Sequence, residues 1–63
     1  MISYKNRKVL ILGLGLNEGG VGSAKFFAEY GADVLVTDIK TESELAPSLE
    51  KLKDYPQIKY QLS

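Results

Sequence analysis

Glycines are concentrated in one short segment of this chain, and that segment governs how the residues on either side of it fold. Residues 13–22 hold five of the six glycines and separate an apolar run at residues 9–12 from a helical pattern that begins at Val21. The apolar run has no polar alternation, which is typical of a strand buried on both faces of a parallel sheet. A strand, a glycine segment and a helix in this order bring free backbone N–H groups toward a phosphorylated ligand.

The helical pattern has one apolar face and a defined end. Its apolar face consists of Val21, Ala24, Phe27 and Ala28, with charged residues on the opposite face. Gly31 follows at the place where a helix closes with a residue in the left-handed conformation. The sequence therefore predicts a helix that begins at Val21 and ends just before Gly31.

Two further strands are predicted downstream of this helix. Residues 34–36 (Val-Leu-Val) form a second apolar run that ends in Thr37 and Asp38. Residues 58–62 alternate between apolar and polar side chains, which predicts a third strand.

A second helix is predicted between the second and third strands. Thr41 and Glu44 have the spacing of a capping box, and leucines follow at helical spacing within residues 45–52. A proline several residues into a helix removes a hydrogen bond and clashes with the preceding turn. We therefore expect the regular helix to begin at Pro47, and Pro56 prevents its continuation.

The predicted order of elements is βαβαβ, which makes this an α/β chain: the Rossmann-like half of a doubly wound parallel sheet. Residues 1–63 would then form part of an N-terminal nucleotide-binding domain, with later domains absent from the chain. Right-handed crossovers with the strand order 3-2-1 put both helices on one face of the sheet. The other face and the edge of the first strand would be bare, so we expect a fragment that associates or is marginally ordered alone.

Composition argues against several classes of function. Eight basic and eight acidic residues cancel, whereas non-specific nucleic-acid binding needs a clustered basic surface. Cysteine and histidine are absent and the acidic residues are scattered, so no metal site is expected. No membrane span or signal peptide is recognisable, which favours a cytoplasmic protein. Packing in the core or between helix and sheet is expected for the aromatic residues Phe26, Phe27, Tyr30, Tyr55 and Tyr60.

The glycine segment matches the dinucleotide-binding fingerprint G-x-G-x-x-G only in part. Gly13 and Gly15 fit, but Glu18 occupies the position of the third glycine. Gly20 can serve as that glycine if the segment carries a two-residue insertion. The context is that of a nucleotide site, because a buried strand precedes the glycines, a helix follows them, and Asp38 ends the next strand roughly 20 residues later.

Both features also have a simpler interpretation. The glycines could do no more than make a tight strand–helix turn, and Asp38 could be a solvated residue at the end of a strand. As part of a site, Asp38 would accept a hydrogen bond from a ribose hydroxyl or a base N–H. Its charge would disfavour the 2′-phosphate of NADP.

Several segments together resemble the opening of the Mur ligases. They are KVLILGLG at residues 8–15, SAKFF at 23–27, GADV at 31–34, VTD at 36–38 and ELAPSLEKL at 44–52. The resemblance covers nearly the whole chain. Because the strand–loop pattern is shared with many Rossmann proteins, the VTD and ELAP segments carry most of the specificity.

The resemblance implies a multidomain cytoplasmic ligase of peptidoglycan synthesis, and with it a part in cell-wall biogenesis, cell division and cell shape. Such a ligase uses ATP and magnesium to activate the carboxylate of UDP-N-acetylmuramoyl-L-alanine as an acyl phosphate, which the amine of D-glutamate attacks. The first domain would bind the UDP part of this substrate, and the remainder of the ligase chain would be its partner.

The resemblance also implies a set of substrate-binding residues. They are Gly15, Leu16, Asn17, Gly19, Gly20, Val21, Gly22, Thr37 and Asp38. Those in the glycine segment would lie against the diphosphate or its linked sugar, while Thr37 and Asp38 would meet the uracil–ribose end. Asn17 and Glu18 form an insertion relative to the shorter loop of the family, which leaves the phosphate-contacting residue open. No catalytic and no metal-binding residue is carried over.

Two other classes of function stay open. The chain could be the NAD-binding portion of an oxidoreductase, with Asp38 on the adenosine ribose, or a non-enzymatic nucleotide-sensing module. The sequence has no G-x-x-x-x-G-K-[ST] segment to hold ATP phosphates, so no cofactor is expected within the chain. We expect the 63 residues alone to be catalytically inactive.

Overall fold

The strands lie side by side in the order in which they occur in the sequence. A computed structural model describes residues 3–14 and 19–62. The elements are β1 (Lys8–Leu12), α1 (Gly19–Glu29), β2 (Asp33–Asp38), α2 (Ala46–Lys51) and β3 (Ile58–Leu62). β1 pairs with β2 and β2 pairs with β3, in parallel in both cases. The predicted α/β class and the Rossmann-like βαβαβ order are confirmed.

The register divides the side chains of the sheet between two faces. On the first face, which we call the covered face, Val9 lies beside Val34 and Ile11 beside Val36. Val34 also lies beside Ile58 of β3. Val34, Val36 and Ile58 are at most 4% exposed. The covered face therefore supplies the sheet's part of the core.

α1 packs on the covered face through small side chains. Val21, Ala24 and Ala28 are buried, as its predicted apolar face requires. The helix begins at Gly19, so the predicted start at Val21 is wrong by two residues. The first turn of the helix includes Gly19 and Gly20, because Gly20 packs directly against the backbone that leaves β1.

α1 ends in a Schellman motif, which satisfies two of its last carbonyl groups. The N–H of Ala32 donates to the carbonyl of Phe27 at 3.0 Å, and the N–H of Gly31 donates to that of Ala28 at 3.1 Å. Gly31 has a φ of +94°. The predicted left-handed glycine at the end of the helix is confirmed.

α2 is shorter than the spacing of its leucines suggests. Thr41 and Glu44 form the predicted capping box, in which the Thr41 N–H donates to Glu44 Oε1 at 3.0 Å and the Glu44 N–H donates to Thr41 Oγ1 at 3.3 Å. The residues that follow form turns, and the regular helix begins one residue before Pro47. A proline in the first turn of a helix lacks only an N–H that would have no partner there. Leu45 and Leu52 flank the short helix and are buried.

Two side chains join the end of α1 to the segment before β3. The Tyr55 hydroxyl donates to Glu29 Oε1 at 2.6 Å, and Gln57 Nε2 donates to the carbonyl oxygen of Ala28 at 2.9 Å. The Glu29 carboxylate raises the pKa of the Tyr55 hydroxyl. These bonds hold the α2–β3 connection against α1, so both helical segments share one core with the covered face.

No helix or strand of residues 3–14 and 19–62 packs on the second face of the sheet, which we call the bare face. Leu10 and Leu35 lie beside each other on it and are 56% and 37% exposed, and Leu12 is 79% exposed. Both β1 and β3 are edge strands of this sheet. The predicted bare face and the predicted free outer edge of the first strand are confirmed for the described residues. The burial of residues 9–12 on both faces is wrong for this chain, because both helices lie on the covered face.

The aromatic residues are distributed differently from the prediction. Tyr4, Phe26, Phe27 and Tyr30 form a cluster at the amino end of β1, with ring centroids of adjacent pairs 4.8 to 6.5 Å apart. Packing against the core is confirmed for Phe27 and Tyr55. Three others are more exposed than a core position would require: Phe26, Tyr30 and Tyr60 are 41%, 39% and 38% exposed.

The two faces of the sheet should respond differently to substitution. We expect Leu10→Lys, on the bare face, to change the free energy of unfolding by less than about 0.5 kcal/mol and to reduce self-association. Val36→Ala removes buried methyl groups from the covered face and should cost about 1–3 kcal/mol. Urea denaturation followed by circular dichroism measures the free energy of unfolding, and light scattering measures self-association. Equal destabilisation by both variants would show that the second face is covered in solution.

Candidate functional site

The candidate site lies where β1 and β2 end. Because the two strands are parallel neighbours, the turns that follow them meet at one edge of the sheet. The Gly13 N–H donates to the carbonyl oxygen of Thr37 at 2.7 Å, one residue beyond the end of β1. Gly13 then turns the chain with a φ of +90°, a conformation that residues with a Cβ rarely adopt.

The position of Leu14, the next residue, is fixed by two backbone hydrogen bonds and by its buried side chain. Its N–H donates to Oδ2 of Asp38 at 3.0 Å, and its carbonyl oxygen accepts the N–H of Gly20 at 3.0 Å. Its side chain lies in the core, and the residue is 0% exposed. One residue thus connects the ends of β1 and β2 to the start of α1.

Gly20 allows α1 to begin against this turn. A Cβ at Gly20 would lie 2.2 Å from the carbonyl oxygen of Gly13 and 2.5 Å from the Cα of Leu14. Both are backbone atoms, which cannot move aside unless the end of β1 moves with them. Gly20 therefore provides the close helix–strand packing of the third fingerprint glycine, as predicted for a segment with a two-residue insertion.

Asp38 uses both carboxylate oxygens to bind backbone groups. Oδ1 accepts the N–H of Lys40 at 2.9 Å, and Oδ2 accepts the N–H of Leu14. The N–H groups of Lys40 and Leu14, together with the charge of Lys40, hold the pKa of Asp38 below its usual range. The side chain is therefore an ionised, hydrogen-bonded link between two turns, and not a solvated residue at a strand end.

The start of α1 presents backbone N–H groups with few side chains around them. The first N–H groups of a helix have no intrahelical acceptor, and the helix dipole adds a partial positive charge. The first turn of α1 contains no acidic residue. Among the described residues, a Cβ at Gly19 or Gly22 would meet no atom within 4 Å, so these residues leave the backbone open to the approach of an anion such as a diphosphate.

A cleft of about 440 Å³ opens beside Asp38, and its lining consists of Leu12, Gly13, Thr37, Asp38 and Ile39. Leu12 and Ile39 are highly exposed, at 79% and 90%. Exposed apolar side chains next to a single carboxylate suit a flat ligand with a polar edge, which is the character of a nucleoside.

A larger groove, of about 540 Å³, lies beside α2 and β3 and includes Leu49, Tyr55 and Tyr60 in its lining. Partial burial there raises the pKa of the Tyr60 hydroxyl. The groove contains neither the glycine turn nor the start of α1, and it lies where the covered face extends past α2. We therefore interpret it as a gap in the packing over β3.

The structure brings three of the predicted site residues together. Gly20, Thr37 and Asp38 each bond to the backbone of Gly13 or Leu14. Thr37 takes part through its carbonyl oxygen, and its half-buried side chain lines the cleft. The common centre of these residues is the backbone that leaves β1.

Six other residues were predicted for the site, and the structure describes three of them. Gly19 and Gly22 lie at the start of α1 with open space beside them, whereas Val21 is 5% exposed and its side chain belongs to the core. Only the backbone of Val21 is therefore available to a ligand. Three predicted residues and the insertion residue Glu18 lie outside the described residues: Gly15, Leu16 and Asn17.

Two residues of the candidate site were not predicted from the sequence: Leu14 and Ile39. The sequence does contain a signal for Leu14, because a large apolar residue directly after a buried strand is expected to enter the core even when glycines flank it. Ile39 has none, since no pattern distinguishes an exposed isoleucine beside a cleft from an exposed isoleucine elsewhere.

Two kinds of feature are absent from residues 3–14 and 19–62. No three acidic side chains lie close enough together to hold a metal ion. No helix in these ranges has the length and apolar character needed to cross a membrane.

The sequence is similar to the start of several bacterial ligases. A UDP-N-acetylmuramoylalanine–D-glutamate ligase from Borreliella afzelii is 48% identical over 59 residues, which are 92% of this chain and 13% of the relative. The protein of the same name from Treponema pallidum is 43% identical over 58 residues, 92% of this chain and 11% of the relative. By sequence, this chain is related to the N-terminal part of these ligases.

A third relative of the same name, from Geotalea daltonii, is 50% identical over 53 residues, which are 84% of this chain and 11% of that protein. The predicted resemblance to the Mur ligases is confirmed. The chain spans about 13% of the length of the first relative, so most of such a ligase has no counterpart in it. No protein-family model and no solved structure matches the chain.

The glycines of α1 allow a direct test of the close helix–strand contact. We expect Gly20→Ala to destabilise the chain by about 3 kcal/mol, because its methyl group would overlap backbone atoms. Gly22→Ala, two residues along the same helix, should stabilise it by about 0.5–1 kcal/mol, because alanine favours a helix and the space there is open. Urea unfolding of both variants measures the difference, and similar stabilities would contradict the contact.

Proposed function

We propose that this chain is the UDP-binding N-terminal part of an ATP-dependent ligase that adds D-glutamate to UDP-N-acetylmuramoyl-L-alanine in peptidoglycan synthesis. The observation that carries the proposal is its 43–48% identity, over 92% of the chain, to ligases named for this reaction. The geometry at the ends of β1 and β2 supports the nucleotide-binding role within that activity.

The start of α1 is the part suited to the diphosphate. The N–H of Gly19 lies at the positive end of the helix dipole, while that of Gly20 donates to the carbonyl of Leu14. Among the described residues, a Cβ at Gly19 or Gly22 would meet no atom within 4 Å. The predicted site residues 15–17 also belong to this half of the proposal. A diphosphate bound here would need no lysine or arginine from the glycine segment.

The cleft beside Asp38 is the part suited to the uridine. Thr37 and Asp38 provide polar groups at one end of β2, and Leu12 and Ile39 provide apolar contact area. Since Asp38 is ionised, the site favours a ribose hydroxyl or a base N–H and disfavours a phosphate at the same place.

An NAD-binding portion of an oxidoreductase is the second candidate. It is favoured by one observation: a carboxylate at the end of β2, bonded into the glycine turn, is also where dinucleotide-binding folds place their ribose acceptor. The identity to named ligases argues for UDP over NAD.

ATP and magnesium would act elsewhere in such a ligase. The described residues contain no cluster of acidic side chains that could hold a metal ion, and the sequence lacks an ATP-phosphate loop. The described residues therefore do not fit ATP–magnesium, and we assign that chemistry to the rest of the ligase, a cytoplasmic enzyme of cell-wall growth and division.

Nucleotide titrations followed by amide NMR test the ligand. We expect UDP to shift the amide signals of Leu14, Gly19 and Gly20, because Gly19 lies at the proposed diphosphate position and the N–H groups of Leu14 and Gly20 belong to the hydrogen-bonded turn beneath it. The amide of Gly31, at the other end of α1, serves as the internal control and should not move. NAD should leave all four unchanged; shifts caused by NAD and not by UDP would replace the proposal with the oxidoreductase.

The chain alone should not make an amide bond. Incubated with ATP, magnesium, D-glutamate and UDP-N-acetylmuramoyl-L-alanine, it is expected to release no inorganic phosphate above the level of a buffer blank. A full-length relative, such as the ligase from Borreliella afzelii, is the positive control. Phosphate release by the 63-residue chain would contradict the assignment of the ATP–magnesium chemistry to the rest of the ligase.

A further inference from the structure

The bond between Asp38 and Leu14 joins residues that lie 24 positions apart in the chain. It is a charge-assisted hydrogen bond, because the carboxylate is ionised and the donor is a backbone N–H. The second oxygen of Asp38 accepts the N–H of Lys40. The carboxylate is thus oriented from both sides by the backbone before any ligand is present.

Leu14 has no exposed surface, so water cannot easily replace Asp38 as the partner of its N–H. A buried N–H without a partner costs the full desolvation penalty of that group. The chain avoids this cost only while Leu14 keeps its position relative to the end of β2. Asp38 therefore restricts where the backbone can run after Gly13.

The same restriction reaches α1. The carbonyl oxygen of Leu14 accepts the N–H of Gly20, and Gly20 packs against the backbone of Gly13 and Leu14 with no space for a side chain. A shift of Leu14 would therefore move the first turn of the helix. Hydrogen bonds weaken steeply with distance and angle, so such a shift would weaken the binding of a diphosphate.

We infer that Asp38 is a positioning residue: through Leu14 it sets the place of the first turn of α1, and so controls diphosphate binding without touching the diphosphate. This inference rests on the proposed function and deepens it. An ionised carboxylate has about four acceptor positions, and among the described residues the N–H groups of Leu14 and Lys40 occupy two of them. Asp38 thus keeps acceptor capacity for a ribose hydroxyl, but a ribose contact would not account for its hydrogen bond to Leu14.

Binding measurements with two separate probes distinguish the two roles. The probes are inorganic diphosphate, which cannot reach a ribose-binding group, and uridine, which carries no phosphate. We expect Asp38→Ala to weaken the binding of inorganic diphosphate by about tenfold, the effect of losing one hydrogen bond to a charged group. Unchanged diphosphate binding with weakened uridine binding would show that Asp38 acts only by contact, and the inference would be wrong.

Two further variants control for stability and for charge. Asp33→Asn lies at the other end of β2 in an exposed position, so it removes a carboxylate from the same strand and should leave both affinities unchanged. Asp38→Asn keeps one acceptor oxygen of the same size and should bind inorganic diphosphate with intermediate affinity. If Asp38→Ala does not fold, Asp38→Asn decides the question, and an affinity equal to that of the parent chain would overturn the inference.

Amide hydrogen exchange tests the positioning role without a ligand. Gly20 does not contact Asp38, yet its N–H should exchange faster in Asp38→Ala and Asp38→Asn than in Asp33→Asn. Unchanged exchange at Gly20 would overturn the inference even if UDP binds as proposed. Faster exchange at Gly20 in a chain that binds neither probe would support the positioning role and count against the proposed UDP site.

Acid provides an independent check on the same bond. The pKa of Asp38 is lowered in the folded chain, so its contribution is complete above its usual value of 3.8 and is lost as the pH falls through the lower folded-state value. The charged groups that influence it are Lys40 and Glu44, whereas residues 12–14 carry no charge. The amide signal of Leu14 should follow this low-pH titration, and a signal that does not move would contradict the bond.

Discussion

At the end of β1, the backbone of α1 comes so close that a methyl group on Gly20 would overlap the carbonyl oxygen of Gly13. The rest of the structure follows from this contact. It requires a left-handed residue at the turn, and it lets α1 lie on the sheet through alanines. Leu14, which forms part of this contact, is buried, so its N–H needs an acceptor within the protein. The carboxylate at the end of β2 meets that requirement.

The elements themselves were predictable because each depends on local chemistry. Periodicity predicts β1, β2 and the apolar face of α1, and Gly31 marks the helix end through its freedom to adopt a positive φ. The capping box of Thr41 and Glu44 also forms as predicted. It precedes a turn rather than a regular helix, because Pro47 is tolerated only in a first turn.

The site was predictable only in part, because its decisive contacts are tertiary. The sequence places an acidic residue after the second strand, but the partner of Asp38 depends on the register between β1 and β2. That register puts Gly13 opposite the carbonyl of Thr37 and brings the next N–H to the carboxylate. The exposure of Leu10 is a similar case, since an apolar strand pattern indicates a capacity for burial and does not say which face is covered.

The free edge of β1 has a consequence for the shape of the ligand site. A strand added at that edge, with a right-handed crossover, would place its helix on the bare face. The direction of winding would then reverse beside β1, and in doubly wound sheets such a topological switch point is where ligands bind. The turn at Gly13 and Leu14 would stand between helices of opposite faces. The three strands would then form one side of a crevice, with the turn at Gly13 and Leu14 at its base.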